Sequence, residues 1–234
     1  VEIRHTISAN LAVMLAWLIP PLCVACRGPA ARAAPLCAPC RLSLPWLGPR
    51  TCGRCALPLP CGRCPARAHA FSAAWSPVAY AGPVPALVRG LKDRGALGLA
   101  RLMAAQLVAA APPGLWAAGA LVPVPADPLR ARRRGVDHAA TIARELASRT
   151  GLAVAPVLAR AGPAPRHARL SRAERLRADP REVGVRTRRG AVPEVAILVD
   201  DVHTTGATLH ACALALKNSG AGRVVAITYA RTLT

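Results

Sequence analysis

Residues 195–209 read VAILVDDVHTTGATL, and the order of residue types in this stretch decides the fold. Val195–Val199 is an apolar run without polar interruption, the pattern of a strand buried on both faces of a parallel sheet. Two adjacent acids, Asp200 and Asp201, end it. A short loop supplies the hydroxyls of Thr204, Thr205 and Thr208 around Gly206. A helix is expected over 207–219, with Leu209, Cys212, Ala213 and Leu216 on one face and Gly220 as its stop. Each part has a physical use. A helix N-terminus offers unsatisfied backbone N–H groups and the positive end of the helix dipole, which together hold a phosphate. Gly206 lets the backbone approach closely, the threonines donate hydroxyls, and Ala207 opens the helix. Carboxylates a few residues upstream accept hydrogen bonds from a vicinal diol. A group with a diol at one end and a phosphate at the other is a ribose 5-phosphate. The glycine patterns of a Walker A loop and of the dinucleotide fingerprint are missing here.

Outward from this stretch, strand and helix patterns alternate. Ala73–Tyr80, Leu121–Val124, Ala153–Leu158 and Arg223–Tyr229 read as strands. Pro83–Asp93, Ala96–Ala110 and Asp137–Arg149 read as helices, the last with Asp137 as N-cap or first-turn acid and Gly151 just past its end. Leu99, Leu102, Met103 and Gln106 share one helical face. Such alternation predicts an α/β fold with a mainly parallel sheet flanked by helices, whose functional site lies beyond the carboxyl ends of the strands. His203 is expected on a solvent-facing loop, and His138 and His210 on helix surfaces. No G-x-S-x-G supports a Ser/His/Asp arrangement.

Before residue 66 the composition changes to cysteines, prolines and arginines without periodicity. Eight of the nine cysteines form C-x2-C pairs: Cys23/Cys26, Cys37/Cys40, Cys52/Cys55 and Cys61/Cys64. A disulfide framework does not require the same two-residue spacer each time, whereas chelation does, because a C-x2-C turn points two thiolates at one tetrahedral centre. Eight thiolates make two structural zinc sites, each worth on the order of 10 kcal/mol to a segment too small to fold alone. Sequential pairing is favoured, Cys23/Cys26 with Cys37/Cys40 and Cys52/Cys55 with Cys61/Cys64, with an interleaved arrangement as the alternative. Thiolate ligands imply a reducing compartment, hence the cytoplasm. Cys212 reads as a buried core residue.

The chain has 234 residues and is 53% hydrophobic, so it can bury a core and is not a disordered polycation. With aromatics at 3%, that core is built from Ala, Leu and Val. The net charge of +20 rests almost wholly on arginine, since Lys92 and Lys217 are the only lysines. A coding bias accounts for such a composition as well as a polyanionic partner does. No run reaches the ~18 apolar residues of a membrane span. Leu11–Ile19 is apolar but short, is stopped by Pro20-Pro21, and reads as a helix packed on the rest rather than a signal peptide, since no A-x-A site follows. Ten arginines fall within 160–189 against Glu174, Asp179 and Glu182. That stretch is a solvated loop, a phosphate-clamping lid or a nucleic-acid track. It holds no aromatic for base stacking, so any DNA contact there is backbone charge, steeply salt-dependent and blind to sequence.

VAILVDDVHTTGATL resembles the PRPP-binding motif of type I phosphoribosyltransferases, where PRPP is 5-phosphoribosyl 1-pyrophosphate. The N-terminal C-x2-C pairs, then LVRGLKDRG (87–95), PVPADPLRARRRGVDHA (123–139) and LSRAERLRA (170–178) precede it. This arrangement resembles the ComF family of competence-associated, phosphoribosyltransferase-like proteins with an N-terminal double zinc ribbon, over nearly the whole chain. The resemblance implies a short N-terminal helix (1–20), a double zinc-ribbon module (21–66) and a phosphoribosyltransferase-like domain (67–234). It also implies a PRPP-binding protein that transfers or binds a 5-phosphoribosyl group with Mg-pyrophosphate as leaving group. By resemblance, Asp200 and Asp201 hold the ribose hydroxyls and are the catalytic pair. Thr204, Thr205, Gly206, Ala207 and Thr208 cradle the 5-phosphate. Lys92, Arg130 and Arg134 face the diphosphate, and residues 163–180 match a mobile loop. His167, Ala178 and the Val136-Asp137-His138 segment depart from the family's usual Gln, Asn and Phe-Asn-Gln, which bears on substrate choice. The family's link to natural transformation implies a second role, DNA uptake, with single-stranded DNA and a competence helicase or uptake machinery as partners.

Overall fold

The computed structural model describes residues 21–32, 34–62, 64–94, 97–127, 136–160, 184–188 and 190–233. The expected N-terminal helix, Arg130, Arg134 and most of the Arg-rich stretch lie outside these residues. In chain order the elements are α1 (Ala38–Leu42), β1 (Ala73–Trp75), β2 (Val78–Ala79), α2 (Val84–Arg94), α3 (Leu97–Ala110), β3 (Ala120–Pro123), α4 (His138–Thr150), β4 (Leu158–Arg160), β5 (Val185–Thr187), β6 (Val195–His203), α5 (Ala207–Asn218) and β7 (Arg223–Arg231). The main sheet runs β1-β7-β6-β3, with β2 also on β7, and every pairing in it is parallel. β4 and β5 form a separate antiparallel pair. The expected fold class therefore stands: a mainly parallel sheet flanked by helices, joined to a cysteine-rich N-terminal module.

Period-2 alternation divides the core between the two faces of the sheet. Ile197, Val199, Val225, Ile227 and Tyr229 pack with α2, α3 and α4, through Leu87, Leu91, Met103 and Ile142. Ala196, Leu198, Val224 and Ala226 pack with α5 through Leu209, Cys212, Ala213 and Leu216. Cys212 is fully buried, and burial pushes its thiol up to about 12. On α3, Gln106 accepts a 2.7 Å hydrogen bond from the buried Tyr229 hydroxyl. Helix ends follow their residues. Asp137 caps α4 by accepting from the Ala140 N–H at 3.0 Å, and Gly151 closes it at φ 75°.

Three boundaries differ from the expectation. The strand expected over 73–80 is broken into β1 and β2, because Pro77 has no N–H to give the ladder. Ser76 instead shares a buried 2.6 Å hydroxyl contact with Thr228. The strand expected over 153–158 is reduced to a bridge at Val154 beside Leu121 before β4 begins. β6 continues past Val199 to His203, so the two acids sit inside the end of a strand and not on a loop.

The cysteine-rich module contains an internal duplication, PLCVACRGP (21–29) and RTCGRCALP (50–58). In each copy the chain reverses over a C-x2-C knuckle. The Cys23 N–H donates to Gly28 O at 2.8 Å and Cys52 N–H to Leu57 O at 2.7 Å. The residue after the second cysteine is left-handed in both, Arg27 at φ 64° and Ala56 at φ 58°. The copies serve opposite faces of the sheet. Cys23, Val24 and Leu36 join the core on the α2–α4 side, and Cys55, Ala56 and Ala66 join the core on the α5 side. Residues 45–53, which lead into and through the second knuckle, run along β1 and β2 at the edge of the sheet, where Ala74 N–H donates to Gly53 O, Leu47 N–H to Pro77 O and Ala79 N–H to Pro45 O.

Candidate functional site

β3 stops at Pro123 while β6 runs on to His203, so the carboxyl end of the central strand stands clear of its neighbour. There a cavity of about 280 Å³ opens, lined by Asp200, Asp201, Thr204 and Thr208 from β6 and the turn after it, with Lys92, His138 and Arg160 across from them. This volume is at the small end of small-molecule sites. The two acids and the threonine turn thus face one space. Thr204 is exposed at the mouth, and Gly206 is buried beneath the turn in the left-handed region, at φ 82°. Thr205 does not line the cavity; its hydroxyl accepts from the Ala207 N–H at 3.3 Å and shapes the turn. Ala207 begins α5 as expected.

Charges in the cavity are interlocked. Lys92 Nζ is 2.7 Å from Asp201 Oδ2, a nearly buried carboxylate. Lys92 therefore lines the site but spends its charge on Asp201, where the resemblance would have it face a diphosphate directly. The Asp201 N–H donates to Asp200 Oδ1 at 2.9 Å. His138 Nε2 is 3.6 Å from Asp201 Oδ2 and 3.9 Å from Asp200 Oδ1. Burial, and next the negative charge of Asp201, push Asp200 up to about 7, against the pull of Lys92, the Asp201 N–H and Arg160. Arg160 Nε donates to Pro125 O at 3.2 Å, which fixes this guanidinium at the cavity wall.

The histidine expectations need correction. His203 is not on a solvent-facing loop: it ends β6, is buried, and stands edge-on to Phe71 at 6.0 Å. Burial, then the charges of Arg231 and His69, hold it down at about 3, so it is neutral and weakly basic, and it does not line the cavity. His138 opens α4 but turns toward the acid pair, and His210 Nδ1 accepts the Ala70 N–H at 2.9 Å. Sequence reading had no signal for His138, because the chain distance from 138 to 200 hides the contact.

A larger cavity of about 730 Å³ lies at the opposite, amino-terminal ends of β1, β6 and β7, lined by Trp46, Trp75, Leu115 and prolines with Arg223 at its edge. Its lining holds no acid and a single hydroxyl residue, Thr51, so it cannot offer the paired carboxylates and threonine turn that the chemistry needs, and size does not make it the site.

The cysteines form two clusters, Cys23/Cys26/Cys37/Cys40 and Cys52/Cys55/Cys61/Cys64, with the sulfurs of each within 4.8 Å of one another. This is the sequential pairing. Cys26 and Cys37 sulfurs are 3.6 Å apart, close to the ~3.8 Å edge of a tetrahedron with Zn–S bonds of about 2.3 Å. Burial opposes charge on Cys23, yet the N–H groups of Cys26, Cys37 and Ala25 hold it down at about 6. In the second cluster burial and the neighbouring thiols push Cys55 up to about 12, outweighing the Leu57 N–H. A bound dication displaces such retained protons. Both clusters are closed four-thiolate sets suited to structural zinc, with no position left for a reacting water.

Fold and clusters together define an α/β protein stapled at its N-terminus by two four-cysteine sites. Residues 14–69 match the family model of the double zinc ribbon domain. Among curated proteins, none matches the chain. Among the described residues, no helix is long and apolar enough to cross a membrane.

Proposed function

We propose that this chain is a phosphoribosyltransferase-like protein of the ComF type that binds PRPP at the carboxyl end of β6. One observation carries the reading. Asp200, Asp201, Thr204 and Thr208 line a single cavity of about 280 Å³, so diol acceptors and phosphate donors are within one sugar of each other. The α5 N-terminus lies behind the threonines and favours an anion there. Asp200, once ionised, and Asp201 accept hydrogen bonds from the ribose 2- and 3-hydroxyls.

Transfer would then proceed by breaking the C1–O bond to pyrophosphate and forming a bond from C1 to the acceptor, which gives up a proton. Positive charge grows on the ring as negative charge leaves on the pyrophosphate. No side-chain nucleophile is required. The acid pair would lie beside the growing positive charge, Arg160 and the Asp201-paired Lys92 line the same cavity, and orientation supplies the rest. Two carboxylates plus ligand phosphates are an ordinary donor set for Mg²⁺, which neutralises charge on a leaving diphosphate. With Lys92 already on Asp201, Asp200 and Asp201 would hold such an ion together with the ligand's oxygens.

Calorimetry with Mg-PRPP tests the reading. Wild-type protein should release heat at one site per chain, and Asp200→Asn/Asp201→Asn should abolish it. Undiminished binding by the double variant, or none by the wild type, removes the proposal. The net charge of +20 supports a second reading, single-stranded DNA held through backbone phosphates. A gel shift indifferent to salt between about 50 and 200 mM would contradict it.

A further inference from the structure

Arg231, the last residue of β7, is used by none of the chemistry above. It is 3% exposed. Its Nε donates to the carbonyl of Cys55 at 2.8 Å, and its Nη1 donates to the carbonyls of His203 at 2.8 Å and Thr204 at 2.6 Å. Cys55 belongs to the second four-cysteine cluster, and Thr204 opens the threonine turn. One buried guanidinium therefore ties a metal knuckle to the backbone of the turn, using a fork of donors that lysine lacks.

A second tie starts in the same knuckle. Arg54, between Cys52 and Cys55, donates to the carbonyls of Ala66 at 3.1 Å and His69 at 3.1 Å. The segment it holds lies directly under the turn. A Cβ on Gly206 would come 2.6 Å from His69 Cε1, and the Ala70 N–H bonds His210 in the first turn of α5. The first cluster reaches elsewhere. Val24 Cγ2 is 3.1 Å from where a Cβ on Gly90 would sit, in α2, two residues before Lys92.

We propose that the two metal lobes brace different halves of the site, and that Arg231 is a positioning residue through which the second lobe sets the shape of the Thr204–Thr208 turn. The consequence for affinity rests on the reading of that turn as a phosphate cradle; the bracing does not. Zinc in the second lobe governs the grip on the phosphate ester, and zinc in the first governs the helix that presents Lys92.

Hydrogen exchange and calorimetry on the full, zinc-loaded chain test this. The reporter amides are His210 and Thr232, which bond Gly206 O and His203 O at 2.8 and 3.1 Å. Arg231→Lys and Cys61→Ser/Cys64→Ser should each speed their exchange by about tenfold or more, leave the β7 amides of residues 224–229 protected, and weaken Mg-PRPP binding. Cys37→Ser/Cys40→Ser should speed exchange in α2 instead. Wild-type exchange at both reporters in the first two variants overturns the proposal. So does a rise spread evenly over β6 and β7, which marks a general structural role. If the reporters respond while wild-type protein takes up no Mg-PRPP, the bracing stands and the ligand assignment falls.

Discussion

Gly206→Ala is the sharpest perturbation the site offers. Gly206 has φ 82° and ψ 2°, a left-handed conformation that costs a residue with a Cβ about 1–2 kcal/mol. The space is also taken. The new methyl would stand 2.6 Å from His69 Cε1, 2.8 Å from His203 Nε2 and 3.0 Å from His69 Nδ1. His203 is buried at the end of β6, and the His69 carbonyl is held by Arg54, so neither ring yields freely. Overpacking of this kind costs about 1–3 kcal/mol. Together the terms come to about 2–5 kcal/mol, which a protein stable by about 5–15 kcal/mol survives. At about 2–4 °C per kcal/mol for a chain of this length, the melting temperature should fall by roughly 10 °C. Thermal unfolding of the zinc-saturated protein measures it, and a double-mutant cycle separates the causes. In a His69→Ala background the steric part facing His69 vanishes, and the cost of Gly206→Ala should shrink toward the conformational term. Costs that add to within about 0.5 kcal/mol would mean the rings do not confine the turn as described, and the reasoning fails.

Three further outcomes follow from the charges and the metal. Lys92→Met leaves the Asp201 carboxylate, 4% exposed, without its 2.7 Å partner. Chemical denaturation near neutral pH should show a loss of up to about 3 kcal/mol, and an NMR titration should find Asp200 above its wild-type value, since Lys92 holds it down. Asp200 is raised from 3.8 to about 7 in the folded chain; between those values the unfolded chain gives up a proton that the folded one keeps. Its contribution to stability therefore falls as pH rises through this window. His203, held down at about 3, and the zinc thiolates contribute with the opposite sign, so the Asp200 part is read as a difference. Relative to Asp200→Asn, ligand-free wild type with zinc in excess should lose stability toward pH 7, and binding of a diol ligand should strengthen over the same range. Metal analysis should return two zinc ions per chain, one per cluster. Cys61→Ser/Cys64→Ser should return one, and acidification should release both as the thiolates take up protons.

What could be read in advance was whatever is written locally. The run Val195–Val199 announced a buried parallel strand, Asp137 and Gly151 announced both ends of α4, and the repeated C-x2-C spacing announced two metal clusters. These features depend on neighbours within a few residues of one another. The cavity between the acid pair and the threonine turn was legible for the same reason, since 200–208 is one continuous stretch. Lys92, His138 and Arg231 lie far from that stretch in sequence. His138 looked like a surface residue because helix periodicity does not say which way the first turn faces. His203 looked exposed because two acids before it suggested that the strand had ended, whereas β6 carries on and buries it. Arg231 was one arginine among many, and only the juxtaposition of β7 with the second knuckle gives it a purpose.

The N-terminal module also covers one margin of the sheet. β1 and β2 form one margin, and residues 45–53 run along it with hydrogen bonds to Ala74, Pro77 and Ala79. At the other, β3 exchanges bonds with Ala153 and Ala155 through Leu121. Neither border is left as a bare template for another chain. Only the first of these shields is held by metal. Stripping zinc would therefore do more than loosen a small appendage: it would bare a strand rich in unpaired peptide groups, and self-association would be the first visible symptom of chelation.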